Sequence, residues 1–188
     1  MDTKKKLAMF DLDGTLFNTF EIHYLAYEKA LDKRGVFIER DFFRRECFGK
    51  YYTEFLKKII PSVSDEEMDL IHREKAKYFD AFIKDAKPNY PLFDIIRALK
   101  PTYYLAVVTS SDKRGAEKIL KTFNVYDLFD TVIGGSDVEK HKPAPDCYKI
   151  VQDKYKIKSE DIIVFEDTKD GCDSAFCTTK NIYVVKGY

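Results

Sequence analysis

The chain has 188 residues, which is enough for one substantial hydrophobic core with a small insertion. Its 32 basic and 32 acidic side chains give a formal net charge of zero, which argues against the basic face that nucleic-acid or membrane-surface binding requires. No apolar stretch approaches the roughly 20 residues of a membrane span, and the apolar run before Asp11 is too short for a signal peptide. The four cysteines lack the spacing of a zinc site. These features predict a cytoplasmic protein with reduced thiols.

Five short apolar runs predict buried strands, at residues 7–10, 104–108, 131–133, 162–165 and 182–185. Helical patterns lie between most of them, at 92–99, 114–123 and 146–155 and more weakly around Ser174. Alternation of strands and helices predicts an α/β fold with a Rossmann-like, doubly wound parallel sheet. Right-handed crossovers then place the carboxyl ends of the strands at one edge of the sheet.

The segment 17–88 interrupts this alternation and contains no convincing strand. Apolar residues recur at helical spacing in three stretches, at 22–31, 55–59 and 68–82, and Ser64 begins a capping-box pattern before the third. We expect Lys75, within that third stripe, to extend its amine to solvent. The segment is predicted to be a small α-helical cap at 17–88 over a core formed by 1–16 and 89–188. An extended helical layer of the same domain is the alternative.

Two aspartates directly follow the first predicted strand, in the run Asp-Leu-Asp-Gly-Thr-Leu. Residues two apart on an extended chain point to the same side, so Asp11 and Asp13 can face one site. Two like charges that close are unfavourable unless a cation or a proton relieves them. The run therefore predicts a metal site, an acid/base pair or both, and a solvated turn is the alternative.

Polar groups also follow the later predicted strands. Thr109 and Ser110 offer hydroxyl and backbone N–H groups that can hold a phosphate, or they simply cap a helix. Lys142, next to a proline, can add a positive charge to the same site, or it is solvated. Glu166 and Asp167 offer the oxygen ligands that a hard cation such as Mg²⁺ prefers.

In this order, the four groups of residues resemble the four motifs of the haloacid dehalogenase superfamily, and the resemblance spans nearly the whole chain. The motifs correspond to residues 11–16, Thr109, Lys142-Pro143 and Glu166-Asp167. The helical insertion is similar to the cap of the β-phosphoglucomutase-like phosphatases. The chain differs from that group at Asn18, where an acidic residue is common.

The resemblance implies a role for each motif. Asp11 is expected to attack a phosphoryl group and form an aspartyl-phosphate, while Asp13 first protonates the leaving oxygen and then activates water. Thr109 and the N–H of Ser110 are expected to hold the phosphoryl group, with Lys142 adding charge.

The same resemblance implies a metal ion and further contacts with the substrate. Mg²⁺ is expected between Asp11, the carbonyl of Asp13 and Asp167, with Glu166 as another ligand or as a group that supports the ligands. The expected substrate-binding residues also include Gly14, Glu21, His23 and Lys50.

The sequence thus predicts a Mg²⁺-dependent phosphatase that acts on a small phosphorylated metabolite, such as a sugar phosphate, as a monomer or weak homodimer. A phosphosugar mutase is the main alternative, but Tyr52 stands where related mutases use an arginine to hold a second phosphate. A dehalogenase needs no acid for its halide leaving group, so the presence of Asp13 favours phosphoryl transfer over dehalogenation. A non-catalytic binding module with this fold is expected to have lost at least one of the motif residues.

Overall fold

Seven strands and eight helices form the part of the chain that the computed structural model describes, residues 6–187. The strands are β1 (Lys6–Phe10), β2 (Phe17–Asn18), β3 (Lys87–Pro88), β4 (Tyr103–Val108), β5 (Thr131–Ile133), β6 (Ile162–Glu166) and β7 (Ile182–Val184). The helices are α1 (Phe20–Asp32), α2 (Arg40–Glu46), α3 (Tyr52–Ile59), α4 (Asp65–Phe82), α5 (Tyr90–Leu99), α6 (Lys113–Thr122), α7 (Asp146–Tyr155) and α8 (Lys169–Ala175). The outermost residues of the predicted core, 1–5 and 188, lie outside the described range.

Five of the strands form one parallel sheet in the order β5-β4-β1-β6-β7. This arrangement confirms the predicted α/β fold. Strand β1 lies at the centre, and Leu7 aligns with Tyr104 on one side and with Ile162 on the other. Helices cover both faces of the sheet, so its central strands must be apolar throughout rather than alternating.

Each face of the sheet has its own apolar cluster. Ala8 and Phe10 pack with residues of α5 and α6, whereas Leu7 and Met9 pack with residues of α7 and α8. These four side chains are fully buried, and only Lys6 at the start of β1 is exposed. The central strand is therefore fixed on both faces, and the residues that follow it start from a rigid position.

The inserted segment departs from the sequence prediction in two details. It contains four α-helices, α1 to α4, rather than the three predicted. Helix α2 is the additional one, and it has no apolar stripe in the sequence because it buries only Phe43. It is also flanked by two short strands, β2 and β3, which pair antiparallel with Phe17 opposite Pro88. Two-residue strands are too short to produce an alternating pattern. The boundaries of a separate cap domain at 17 and 88 remain a prediction.

The N-terminal cap of α4 follows the sequence pattern, since the Ser64 side chain accepts a hydrogen bond from the N–H of Glu67 at 3.2 Å. Helices α1 to α4 share an apolar cluster that includes Phe43, Phe55 and Ile71. None of the helices within residues 6–187 has the length and apolar content that a membrane crossing needs.

Candidate active site

The predicted motif residues meet at the carboxyl edge of the parallel sheet, where α/β folds place ligands. Asp11 follows β1, Thr109 follows β4 and Asp167 follows β6. Lys142 reaches the same place from the loop between β5 and α7.

Lys142 joins the strand ends through a buried network. Its Nζ donates to Asp11 Oδ1 at 2.7 Å, to Glu166 Oε1 at 2.6 Å and to the carbonyl of Val108 at 3.0 Å. Burial opposes the charge, but the carboxylates of Asp11 and Glu166 outweigh it and hold the pKa of Lys142 well above its usual value. The lysine is therefore a permanent cation beside Asp11.

Glu166 uses both carboxylate oxygens within the protein. Its Oε1 accepts from Lys142 and from the hydroxyl of Tyr148 at 3.0 Å, and its Oε2 accepts from the N–H groups of Asp167 and Thr168 at 2.9 and 3.1 Å. Burial raises the pKa of Glu166, but Lys142 together with the hydrogen bonds from Thr168 and Tyr148 outweighs burial, so the net pKa is lowered. Of the two roles expected for Glu166, these contacts favour support of its neighbours over direct ligation.

Asp11, Glu166 and Asp167 form an acidic cluster in which one oxygen of each lies within 4.8 Å of the others. Asp11 Oδ2 is buried and has no hydrogen-bond partner within the described residues. Burial raises the pKa of Asp11, and burial together with the charge of Glu166 raises the pKa of Asp167 to about 7. Three carboxylates this close together, two of them with a raised pKa, suit a hard cation that offsets their charges. The cluster is therefore fitted to hold a metal ion.

Gly14 lets Asp167 approach the first motif. Its φ of +100° is in the region that favours glycine, and a Cβ there would lie 2.1 Å from Asp167 Oδ2. The N–H of Gly14 donates to the carbonyl of Phe17 at 2.8 Å. The structure therefore corrects the expectation that Gly14 binds phosphate, because its only donor is already used and its role is steric.

The carboxylate of Asp13 points away from the acidic cluster, into a set of hydroxyl donors. Its Oδ1 accepts from Thr19 Oγ1 at 2.6 Å, and its Oδ2 accepts from Ser111 Oγ at 2.6 Å and from Thr109 Oγ1 at 3.2 Å. His23 Nε2 lies 3.0 Å from Oδ1. Any metal contact of Asp13 must therefore use its backbone carbonyl, as the sequence prediction specified.

These contacts set the charge of Asp13. Burial raises its pKa, but His23 and the hydroxyl donors outweigh burial and hold the pKa well below its usual value. Sequence reasoning missed Thr19 and Ser111. Ser111 directly follows the predicted Ser110. Because residues two apart on an extended chain point to the same side, the position of Ser111 two residues after Thr109 could have predicted that both face the site.

The predicted substrate-binding residues of the inserted segment lie in different places. His23 reaches Asp13, and Lys50 lines a cavity of about 30 Å³ that Asp13 and Ser110 also line. Glu21 does not join them, because it is exposed and its Oε2 accepts from Arg40 at 2.5 Å. In this conformation helix α1 turns Glu21 away from His23, and its expected role in substrate binding remains a prediction.

The position of Lys75 contradicts the prediction that its amine extends to solvent. Lys75 is 7% exposed, and its amine lies over the rings of Phe79 and Tyr27, at 4.5 and 5.2 Å from their centroids, instead of reaching solvent. Burial lowers its pKa to about 8. No ion pair involves Lys75 within residues 6–187, and it lines both cavities that reach Asp13.

The two cavities beside Asp13 differ greatly in size. The one next to Lys50 has room for about one water molecule at about 30 Å³. The other, between α4 and α6, has a volume of about 410 Å³, which is within the range of small-molecule sites. Of these two cavities, only the one between α4 and α6 has the volume of a small-molecule site in this conformation.

A family model described as "Haloacid dehalogenase-like hydrolase" matches residues 8–184, so the chain belongs to that family. The chain is 25% identical to a phosphorylated carbohydrates phosphatase of Thermotoga maritima, over 89% of this chain and 79% of the relative. It is 26% identical to a β-phosphoglucomutase of Bacillus subtilis, over 88% and 76% of the respective chains.

The fold also matches a solved structure. The CbbY protein of Rhodobacter sphaeroides, crystallised with phosphate, superposes with a TM-score of 0.88 at 24% identity, covering 97% of this chain and 87% of that one. The likeness shows that the two chains share their fold. Together with the family match, it confirms the resemblance inferred from the motifs.

Proposed function

We propose that this protein is a Mg²⁺-dependent phosphatase that hydrolyses a small phosphorylated metabolite, such as a sugar phosphate, through an aspartyl-phosphate. The observation that carries the proposal is the buried, unpartnered Oδ2 of Asp11, with Lys142 bound to the other oxygen of the same carboxylate. This arrangement leaves one carboxylate oxygen available to attack phosphorus. The phosphatase similar to this chain acts, by its name, on phosphorylated carbohydrates.

In the first half-reaction, the Oδ2 of Asp11 forms a bond to phosphorus while the bond from phosphorus to the ester oxygen breaks. Asp13 transfers a proton to that departing oxygen, so the product leaves as an alcohol. Because Thr19, His23 and Ser111 favour the ionised form of Asp13, the substrate must displace some of these contacts before Asp13 carries the proton.

In the second half-reaction, Asp13 accepts a proton from water as the water oxygen bonds to phosphorus. The bond between phosphorus and Asp11 then breaks, which releases phosphate and restores the carboxylate. The N–H of Ser110 holds a phosphoryl oxygen during both steps, the hydroxyl of Thr109 joins it once the substrate has displaced its bond to Asp13, and Lys142 adds positive charge.

Asp11 and Asp167, with the carbonyl of Asp13, would hold Mg²⁺, and Glu166 would support this set through Lys142 and the N–H of Asp167. When bound, the ion supplies positive charge that offsets the negative charge of the acidic cluster and of the phosphoryl group.

A phosphosugar mutase is the second candidate, because the chain is similar to a β-phosphoglucomutase. A mutase must grip a second phosphate while its intermediate turns over in the site. Tyr52 stands at the position that we align with the gripping arginine, but its hydroxyl donates to Asp69 Oδ1 at 2.6 Å. That hydroxyl is therefore committed to α4, which favours hydrolysis over isomerisation.

The proposal is tested by assaying phosphate release from a panel of sugar phosphates, with Mg²⁺ and after chelation. We expect release that chelation abolishes and that added Mg²⁺ restores. Full activity after exhaustive chelation would exclude the metal, and efficient conversion of β-glucose 1-phosphate to glucose 6-phosphate with little free phosphate would favour the mutase. A cytoplasmic location and a monomeric or weakly dimeric state remain predictions.

A further inference from the structure

The cavity of about 410 Å³ between α4 and α6 has a cationic rim that the phosphoryl-transfer site does not use. Arg73 and Lys77 of α4 line it from the inserted segment, and Arg114 and Lys118 of α6 line it from the core. Its floor is mainly apolar and includes Leu12, Phe79 and Ala116. This combination suits a ligand with a compact body and a charged end.

Three of the four rim cations form no ion pair within the described part of the chain. Lys118 pairs with Asp80 at 2.5 Å, but no ion pair within residues 6–187 involves Arg73, Lys77 or Arg114. Two further acids line the cavity: Asp13, which is bound by Thr19, His23 and Ser111, and Asp112, which caps α6 by accepting from the N–H groups of Arg114 and Gly115 at 3.0 and 3.3 Å. A chain with equal numbers of basic and acidic residues thus has a local excess of positive charge here.

This excess opposes folding of the empty protein. Arg73 and Lys77 are four residues apart on α4, where like charges repel. Arg114 adds a third positive charge at the opposite wall, in the first turn of α6, where the helix dipole favours negative charge. An anion bound between the two helices removes all of these repulsions together.

The cavity also lies where a leaving group must go. Asp13, the proposed acid for the leaving oxygen, lines both cavities, and the smaller one holds only about one water molecule. Neither cavity is lined by Asp11, so Asp13 is the point where the reacting group meets the groove, and the larger cavity has room for the rest of the leaving group. Its far end then reaches Arg73, Lys77 and Arg114.

We infer that the groove between α4 and α6 is an anion subsite, and that the preferred substrates are small phosphate esters that carry a second anionic group on the leaving part. This inference rests on the proposed phosphatase function. A carboxylate or a second phosphate meets the same requirement. The rim residues are exposed, so they orient the anion without enclosing it, and the product can leave for water to enter.

The test compares matched pairs of esters that differ in the second anion. Glycerol 3-phosphate and 3-phosphoglycerate form the carboxylate pair, and fructose 1-phosphate and fructose 1,6-bisphosphate form the phosphate pair. We expect wild-type kcat/KM to be at least about tenfold higher for the more anionic member of at least one pair. The pair with the larger ratio identifies the anion.

Two variants locate the effect. Arg73→Gln and Arg114→Gln should each reduce that ratio by about threefold or more, mainly through KM, and the ratio should fall as ionic strength rises. Arg45→Gln removes an exposed cation of α2 outside the groove and is the matched control, which should keep the wild-type ratio.

Hydrolysis of both members of each pair at equal kcat/KM would overturn the subsite and leave the phosphatase proposal intact. Absence of hydrolysis for every ester would overturn the phosphatase proposal, and calorimetry would then decide the subsite. Tighter binding of 3-phosphoglycerate than of glycerol 3-phosphate, lost in Arg73→Gln, would support it. If wild type and Arg73→Gln bind 3-phosphoglycerate equally tightly, the subsite is overturned.

Discussion

The two sides of Asp13 neutralise their charges in different ways. On the core side, Lys142 lies between the carboxylates of Asp11 and Glu166, so the buried cation has its counter-charges in the protein itself. On the side of the inserted segment, Lys75 lies over aromatic rings and forms no ion pair within residues 6–187, and the carboxylates of Asp13, Asp112 and Asp80 act on it from a longer distance. The cation of the core side is thus paired before a substrate binds, whereas the cation of the other side is not. We infer from this difference that the core side carries out the chemistry and that the side of the inserted segment recognises the substrate.

The largest effect should come from the core side, at Asp11. Asp11→Asn keeps the volume of the side chain but removes the carboxylate nucleophile, so we expect kcat to fall by at least about a thousandfold. Phosphate release measures the loss, and an unchanged circular dichroism spectrum shows that the variant is folded. Near-normal turnover by the folded variant would contradict the proposed role.

Removing the cation of the core side should mainly reduce stability. Lys142→Met leaves Asp11 and Glu166 as buried carboxylates without their shared partner, and breaking such a pair costs about 3–5 kcal/mol. Denaturant unfolding without added metal measures the loss. Lys149→Met changes an exposed lysine of α7 in the same way and should stay within about 0.5 kcal/mol of wild type. A similarly small loss for Lys142→Met would show that the network does not stabilise the fold.

The equivalent change on the other side should behave in the opposite way. Lys75→Met removes a cation whose burial outweighs its attraction to the more distant carboxylates and which forms no ion pair within residues 6–187, so the free energy of unfolding should equal or exceed that of wild type. Activity should still fall by about tenfold, because a charge-assisted contact with an anionic substrate is lost. A loss of several kcal/mol in stability would instead reveal a hidden counter-charge and would remove the contrast between Lys75 and Lys142.

The same division explains how much could be predicted from the sequence. The central strands of the sheet are apolar on both faces, so each appears in the sequence as a short apolar run. The ends of the strands then bring Asp11, Thr109, Lys142 and Asp167 together. These groups sit on rigid elements whose order along the chain determines where they meet.

The inserted segment was harder to predict because its contacts depend on how helices pack. The periodicity of α4 puts Lys75 on the apolar face, but a lysine on that face can extend to solvent or turn inward, and only the packed rings of Tyr27 and Phe79 settle the choice. The bond between Thr19 and Asp13 likewise depends on the angle at which α1 leaves the first motif. Gly14 shows the same limit, because its contact with Asp167 joins residues far apart in the sequence.

The most direct test of the central claim is to trap a phosphoryl group on Asp11. In Asp13→Asn, p-nitrophenyl phosphate should still react, because p-nitrophenolate leaves without a proton, but the water step should lack its base. We predict a burst of about one nitrophenolate per active site, followed by slow turnover, with the phosphoryl adduct located on Asp11 by mass spectrometry after an acid quench. Turnover without a burst, or an adduct on another residue, would contradict the account.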